Sequence, residues 1–207
     1  MKATQRIYNV SDVITFSNTK GKFGGLSNMA PGYSLFVNEV IIPNTEALYQ
    51  ACRFPLFPDI QQEIIKQKSP MDAKQIGRKY LDHTRQDWDE VKFHIMRWCL
   101  MVKLVQNWET FGDVLKSTGT KPIVEYSTKD KVWAATPQEQ NKLVGVNALG
   151  RFLMEIREKY VLTGLKPTSV KPLNIPAFNL FNHSIGQVYE PSFNLADFED
   201  EYSMELA

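Results

Sequence analysis

Glu46, Tyr49, Gln50 and Arg53 fall at i, i+3, i+4 and i+7 in one stretch of the chain. On a helix that spacing sets a carboxylate, a phenol, an amide and a guanidinium on a single face. A carboxylate so placed can act as a base or as counter-charge to a cation forming on a substrate. Asn44 or Thr45 can cap the helix, putting Glu46 in its first turn, where the partial positive charge of the N-terminus favours the ionised form. Glu46 is therefore expected to be ionised at neutral pH. The plainer reading of the same residue is a solvated acid at a helix start.

Other candidates carry the same two-sidedness. Asp130 and Trp133 follow Ser127-Thr128-Lys129 at a strand exit, a common place for ligand groups, but an Asx turn with a buried tryptophan fits equally. Asn147, within Gly145-Val146-Asn147-Ala148-Leu149-Gly150, either caps the helix that follows or points into a cleft. Trp88 is either core or a flat face for a nucleobase. Arg78, with Lys79, either closes a helix or lines the same cleft. The loop 17–28 contains Gly21, Gly24 and Gly25, and such a loop can approach a ligand closely. His83, His94 and His183 form no HxH or HExxH pattern, so no metal site is expected. Cys52 and Cys99 lack CxxC or metal-ligand spacing and read as packing residues.

The elements that must position these groups are predicted as follows. A strand covers 13–16, and 33–37 with 40–42 flank Asn38-Glu39 as a hairpin ended by Pro43. The helix bearing Glu46 buries Ala47, Ala51 and Phe54 and is ended by Pro55 and Pro58. Ser69-Pro70 opens a helix running to about Tyr80. The segment 88–106 repeats hydrophobics at Val91, Ile95, Cys99 and Val102 and is apolar nearly all round after Ile95, which marks a central buried helix. A shorter helix over 108–117, a strand over 123–126 and an amphipathic helix over 147–161 complete a helix-rich α+β domain with a few short strands.

A chain of 207 residues fits one domain with an appendage. The domain is read as 1–162, and 163–207 as an extended C-terminal appendage rich in proline and aromatics with an acidic end. That appendage carries −4, which leaves +5 on the remainder, since the whole chain is +1. A modestly basic body suits an anionic substrate. The aromatics of 165–193 are expected to pack on the body, with the acidic run 197–205 held weakly by charge or mobile. No stretch approaches the ~20 apolar residues that span a bilayer, and the N-terminus lacks a signal-peptide core. A cytoplasmic protein with no membrane partner is the expectation.

The ordered set of motifs resembles the NADAR superfamily, including its YbiA-like N-glycosidases acting on riboflavin intermediates. It comprises Gly24-Gly25-Leu26-Ser27-Asn28, Thr45-Glu46-Ala47-Leu48-Tyr49-Gln50-Ala51-Cys52-Arg53-Phe54, Ser69-Pro70-Met71 and Gly77-Arg78. Further on come Trp88-Asp89-Glu90-Val91-Lys92, Ile123-Val124-Glu125 with Asp130 and Trp133, and the segment Gly145 to Gly150, spanning about 13–160 in all. The resemblance implies that Glu46 is the catalytic glutamate and that Trp88, Asp130 and Trp133 belong to the active site. It implies that Asn28 and Asn147 line a pocket for ribose and phosphate.

The implied reaction breaks a ribosyl C1′–N bond, with Glu46 facing the oxocarbenium ion and orienting or deprotonating water. Asp130 serves either as a second carboxylate or as a partner for ribose hydroxyls, and Trp88 or Trp133 stacks on the base. Asn28, Asn147, Arg78 and the amides around Gly25 bind phosphate or ribose oxygens. No cofactor is required. Ala47 stands where the family often has histidine and Ala134 where it often has glycine, and 135–140 replaces a Gly-rich segment. These departures favour an ADP-ribosylated nucleobase of guanine type, in some cases carried on nucleic acid, over a phosphorylated riboflavin-pathway intermediate. A non-catalytic ADP-ribose or NAD binding module is the third reading.

Overall fold

A computed structural model describes residues 4–192 of the chain. Phe193, Phe198, Tyr202 and the acidic run 197–205 lie outside the described residues. In chain order the elements are strands β1 (Arg6–Asn9), β2 (Ile14–Phe16), β3 (Leu35–Val37) and β4 (Val40–Ile42), then helices α1 (Thr45–Ala51), α2 (Pro58–Ile65), α3 (Pro70–Lys79), α4 (Trp88–Gln106) and α5 (Trp108–Ser117). There follow β5 (Ile123–Glu125), β6 (Thr136–Gln138), β7 (Lys142–Gly145), helix α6 (Ala148–Ile156) and the two-residue strands β8 (Ser169–Val170), β9 (Asn179–Leu180), β10 (His183–Ser184) and β11 (Val188–Tyr189). The class is mixed α+β, helix-rich with short strands, as the hydrophobic periods require.

Local chemistry sets most of these boundaries. Asn38 and Glu39 adopt left-handed φ of 50° and 63°, the two-residue turn whose twist matches paired strands. β3 and β4 therefore pair antiparallel with Val37 opposite Val40. The Asn44 side chain caps α1 by accepting the Ala47 N–H at 2.9 Å. Ser69 Oγ accepts the Asp72 N–H at 3.3 Å, with Pro70 as the first helical residue of α3. Pro58 does more than end the helix before it: it opens α2, where its missing N–H leaves no bond unmade. The turn that closes the last long helix is wider than expected, since α6 stops at Ile156 and 157–161 continues as a π-helical turn.

The chain folds as two compact units. One comprises residues 4–27 with Trp108–Lys166. It holds the antiparallel sheet β1-β7-β6 and the parallel pair β2-β5, and Tyr8, Val124, Ala135 and Leu143 form a buried cluster in it. Arg157 is buried there, donating to Thr118 Oγ1 at 2.8 Å and the Lys121 carbonyl at 2.7 Å.

The other unit comprises Asn28–Asn107 and residues 167–192. Its helices α1 to α3 pack mutually and α1 also packs on α4, the central helix expected from its apolar run. The run conceals one exception. Lys103 on α4 is fully buried, its ammonium 4.1 Å from the centre of the Tyr33 ring, and burial pushes its pKa well below the usual lysine range. Residues 167–192 lie on this unit through side chains that reach their backbone. Trp98 Nε1 donates to the Lys171 carbonyl at 3.0 Å and the indole meets the Phe178 ring edge-on at 4.9 Å. Among the described residues no helix is long and apolar enough to cross a membrane.

Candidate active site

The Asn44 cap makes Glu46 the second residue of α1, and the packing of α2, α3 and α4 around that short helix buries it to 2% exposure. Two amides hold its carboxylate. Gln50 Nε2, one turn on, donates to Oε1 at 2.9 Å, and Asn28 Nδ2 donates to Oε2. The Asn28 carbonyl also accepts the Glu46 N–H at 2.9 Å, so Asn28 grips the residue by backbone and side chain together. The expectation that the helix start leaves Glu46 ionised is opposed here. Burial raises its pKa above the ordinary carboxylate range, against the charges of Lys74 and Arg78 and the two amides, which lower it. A helix of only seven residues has a small dipole, and desolvation outweighs it.

Around this centre the second unit gathers several more of the residues picked out by spacing. Tyr49 is buried and its ring lies 5.1 Å from that of Trp88 at the start of α4. Burial, then the nearby Glu46 charge, push its phenol well above the usual range. The Arg53 guanidinium lies 5.2 Å from the Trp88 ring centre while its Nε donates to Thr84 Oγ1 at 2.9 Å. Trp88 is half-buried, neither sunk in the core nor free on the surface. Arg78 is exposed at the end of α3 and acts on Glu46 by its charge. Lys74, its partner at i−4 on the same helix face, went unnoticed in the sequence. The four-residue spacing to Arg78 was the available signal.

The remaining candidates belong to the first unit. Asp130 forms the Asx turn: its Oδ1 accepts the N–H groups of Val132 and Trp133 at 2.8 and 2.9 Å, and its own N–H donates to Ser127 Oγ at 3.0 Å. The turn aims carbonyls at the start of α6, where Val132 and Trp133 accept the Ala148 and Leu149 N–H groups at 3.0 and 3.2 Å. Asn147 is therefore not a side-chain cap. It takes a left-handed conformation, and its buried amide accepts the Glu125 N–H at 3.0 Å and donates to the Ile123 carbonyl at 2.8 Å and to Tyr8 Oη at 3.3 Å. Every arm of that amide ties α6 to its neighbours. The glycines beside it serve the same packing: a Cβ on Gly145 would lie 2.3 Å from the Ala134 carbonyl oxygen, and one on Gly150 2.2 Å from that of Ile123. Gly25 is the middle of a 3-10 turn, Gly24–Leu26. There the N–H groups of Gly24, Leu26 and Ser27 are engaged by carbonyls of the same loop. The tight approach is at Gly24, where a Cβ would meet Thr19 O at 2.2 Å.

No group of three or more His, Cys, Asp or Glu side chains that could hold a metal occurs among the described residues. Cys52 and Cys99 are buried free thiols.

Taken together these elements define a helix-rich α+β protein whose second unit encloses a buried glutamate that two carboxamides hold and on which the charges of two cations act. The NADAR domain model matches residues 15–161, and the chain belongs to that family. It is similar to the N-glycosidase YbiA of Escherichia coli (strain K12), 32% identical over 160 residues that cover 76% of this chain and 96% of that protein. It is similar also to the riboflavin biosynthesis protein PYRR of Zea mays, 30% identical over 78% of this chain but only 27% of that one. The NMR structure of E. coli YbiA superposes with a TM-score of 0.63 at 30% identity, covering 75% of this chain and 89% of that one.

Proposed function

We infer that this protein hydrolyses the N-glycosidic bond of a phosphorylated ribosyl compound, with Glu46 as the catalytic carboxylate. The observation that carries the reading is the burial of Glu46 at 2% exposure between the amides of Asn28 and Gln50, with Lys74 and Arg78 acting on it. A buried acid with no task is rarely retained, because its ionised form is costly out of water. As the C1′–N bond lengthens, the sugar gains cationic character and the base gains negative charge. A carboxylate at Glu46 faces the cation and takes a proton from the attacking water. Its raised pKa makes it a stronger base than an ordinary glutamate. Arg78 and Lys74 suit a phosphate, and the half-buried Trp88, with Arg53 against its ring, offers a flat face for a base. Asp130 keeps its turn with Oδ1, and Oδ2 is assigned to ribose hydroxyls, with Trp133 beside it as a second stacking surface. Asn28 serves the substrate through Glu46.

The names of the similar proteins, an N-glycosidase and a riboflavin biosynthesis protein, support a phosphorylated riboflavin-pathway intermediate as substrate. A second reading, an ADP-ribosylated guanine-type base, is supported by Ala47. That alanine is smaller than the histidine common in the family, and it lies fully buried beside Glu46. Incubation with riboflavin-pathway intermediates, ADP-ribosylated guanosine and DNA, and NAD, with released base and sugar identified by mass spectrometry, decides between them. Release from one substrate class assigns it. Binding of ADP-ribose or NAD without release from any would overturn the hydrolase reading in favour of a binding module.

A further inference from the structure

Gln50 uses only one end of its amide. At 5% exposure its Nε2 donates to Glu46 Oε1 at 2.9 Å, while its Oε1 is a buried acceptor without a hydrogen-bond partner. An unpaired buried acceptor costs stability and calls for a reason. The unpaired end faces Gly77 on α3, where a Cβ would lie 2.4 Å from Gln50 Oε1 and 3.2 Å from its Cδ. Gly77 lies inside a helix and has no positive φ, so its own backbone does not call for glycine. Glycine is a poor helix former. The space it leaves belongs to the Gln50 amide.

The two ends of a carboxamide are nearly equal in size and opposite in character, one accepting and one donating. As observed, Gln50 donates to a carboxylate. Rotated by half a turn about Cγ–Cδ, it would present Oε1 to the proton of a carboxylic acid and leave Nε2 against Gly77. The far end goes unpaired in both orientations, so no bond outside Glu46 resists the turn. Asn28 differs, because its backbone carbonyl is bonded to the Glu46 N–H and anchors the other side of the carboxylate.

We propose that Gln50 is the positioning residue of Glu46, donating to it as a carboxylate and, turned over in the space left by Gly77, accepting from it as a carboxylic acid. This rests on the reading of Glu46 as the base. In that reaction Glu46 gains one proton from the attacking water and later yields it to the departing base, and Gln50 holds the carboxyl group in place through both states. The charged groups acting on Glu46 are Lys74 and Arg78 from α3. Burial first, and then the Glu46 charge among other causes, raise the pKa of the Tyr49 phenol on its own helix and of the Cys99 thiol on α4. β4 carries no titratable side chain, and Asp59 and Glu63 of α2 are not among the groups that shift it.

The test begins with the unaltered protein: the side-chain 15N signal of Gln50 and the carboxyl 13C signal of Glu46 are followed across pH. Both should move with one midpoint, and a Gln50 signal that stays fixed while Glu46 titrates overturns the proposal even if no variant folds. Gln50→Met removes both hydrogen-bonding ends at similar length. It should lower kcat by about 10-fold or more, leave KM within about 3-fold, and move the acidic limb of kcat/KM to higher pH. Gly77→Ala should do the same more weakly, by crowding the amide. A folded Gln50→Met with the parent kcat and acidic limb refutes the proposal. Glu46→Gln separates the two failures: if it retains turnover the Glu46 reading falls and this one with it, whereas if it is inactive and Gln50→Met is normal, only the role of Gln50 falls.

Discussion

Replacing Glu46 by glutamine keeps the shape that α1 to α4 enclose and leaves an oxygen to accept one neighbouring amide, so Glu46→Gln is expected to fold. It should lose about 100-fold or more in turnover, since the amide is neither base nor counter-charge. Parent-like turnover in the folded variant would remove Glu46 from the reaction. The same substitution tests the electrostatics. Burial raises the pKa of Glu46 in the folded state, so between the ordinary glutamate range and that raised value the folded protein binds more protons than the unfolded chain. Its contribution to stability is present below that window and is lost as pH rises through it. The unfolding free energy of Glu46→Gln relative to the parent should therefore climb with pH across the window, read by urea melts at several pH values; parallel curves would contradict the shift. Trp133 in the first unit makes a separate case. It is half-buried, so Trp133→Ala should weaken ligand binding by about 1 to 3 kcal/mol as a lost stacking face, with little change in melting. A stability loss of about 3 to 5 kcal/mol instead would make it a core residue.

At the level of elements, α2 was not legible, since Pro58 reads as readily as the end of one helix as the start of the next. Helices α1 and α3 were legible from the side-chain caps at Asn44 and Ser69, and α4 from the apolar period that spans Trp88–Gln106, because those signals are local. The hairpin was legible for the same reason, its turn residues being Asn38 and Glu39. β1, β6 and β7 were not, since each is three or four residues long and exists through pairing with partners more than a hundred positions away in the case of Arg6 with Gly145. Lys103 and Arg157 were missed for a related reason. Nothing local distinguishes a buried cation from a solvated one, and only tertiary packing decides. In the segment Gly145 to Gly150 the Asn147 amide ties α6 to its neighbours. Asn147→Ala should cost about 2 to 4 kcal/mol by thermal or denaturant melting, because the Glu125 N–H and Ile123 carbonyl lose their partner inside the protein. If it instead weakened ligand binding at unchanged stability, Asn147 would be a substrate contact after all.

For the whole molecule, the residues beyond the family match, which ends at 161, include a segment that the second unit holds by defined contacts. Gln61 is fully buried and joins three backbones: its Nε2 donates to the Ala51 carbonyl at 3.1 Å and the Asn179 carbonyl at 3.0 Å, and its Oε1 accepts the Phe181 N–H at 2.7 Å. One glutamine thus ties the last turn of α1, which carries Glu46, to the C-terminal segment. Arg85 Nη2 reaches the Pro176 carbonyl at 2.6 Å, and Gln106 Nε2 the Tyr189 carbonyl at 2.9 Å. Phe178 is buried against Trp98, whereas Tyr189 is 58% exposed, so the aromatics of the segment divide between packing and surface. Truncation after Gly164 would uncover Trp98 and strip the buried Gln61 amide of two partners, at about 1 to 3 kcal/mol for the polar groups alone. The truncated protein should therefore melt several degrees lower, and with the end of α1 released its KM or substrate preference should change. Gln61→Leu, which removes the tie without removing the segment, should reproduce the kinetic change with a smaller loss of stability. Unchanged melting and kinetics after truncation would show that the segment bears neither on stability nor on the setting of α1.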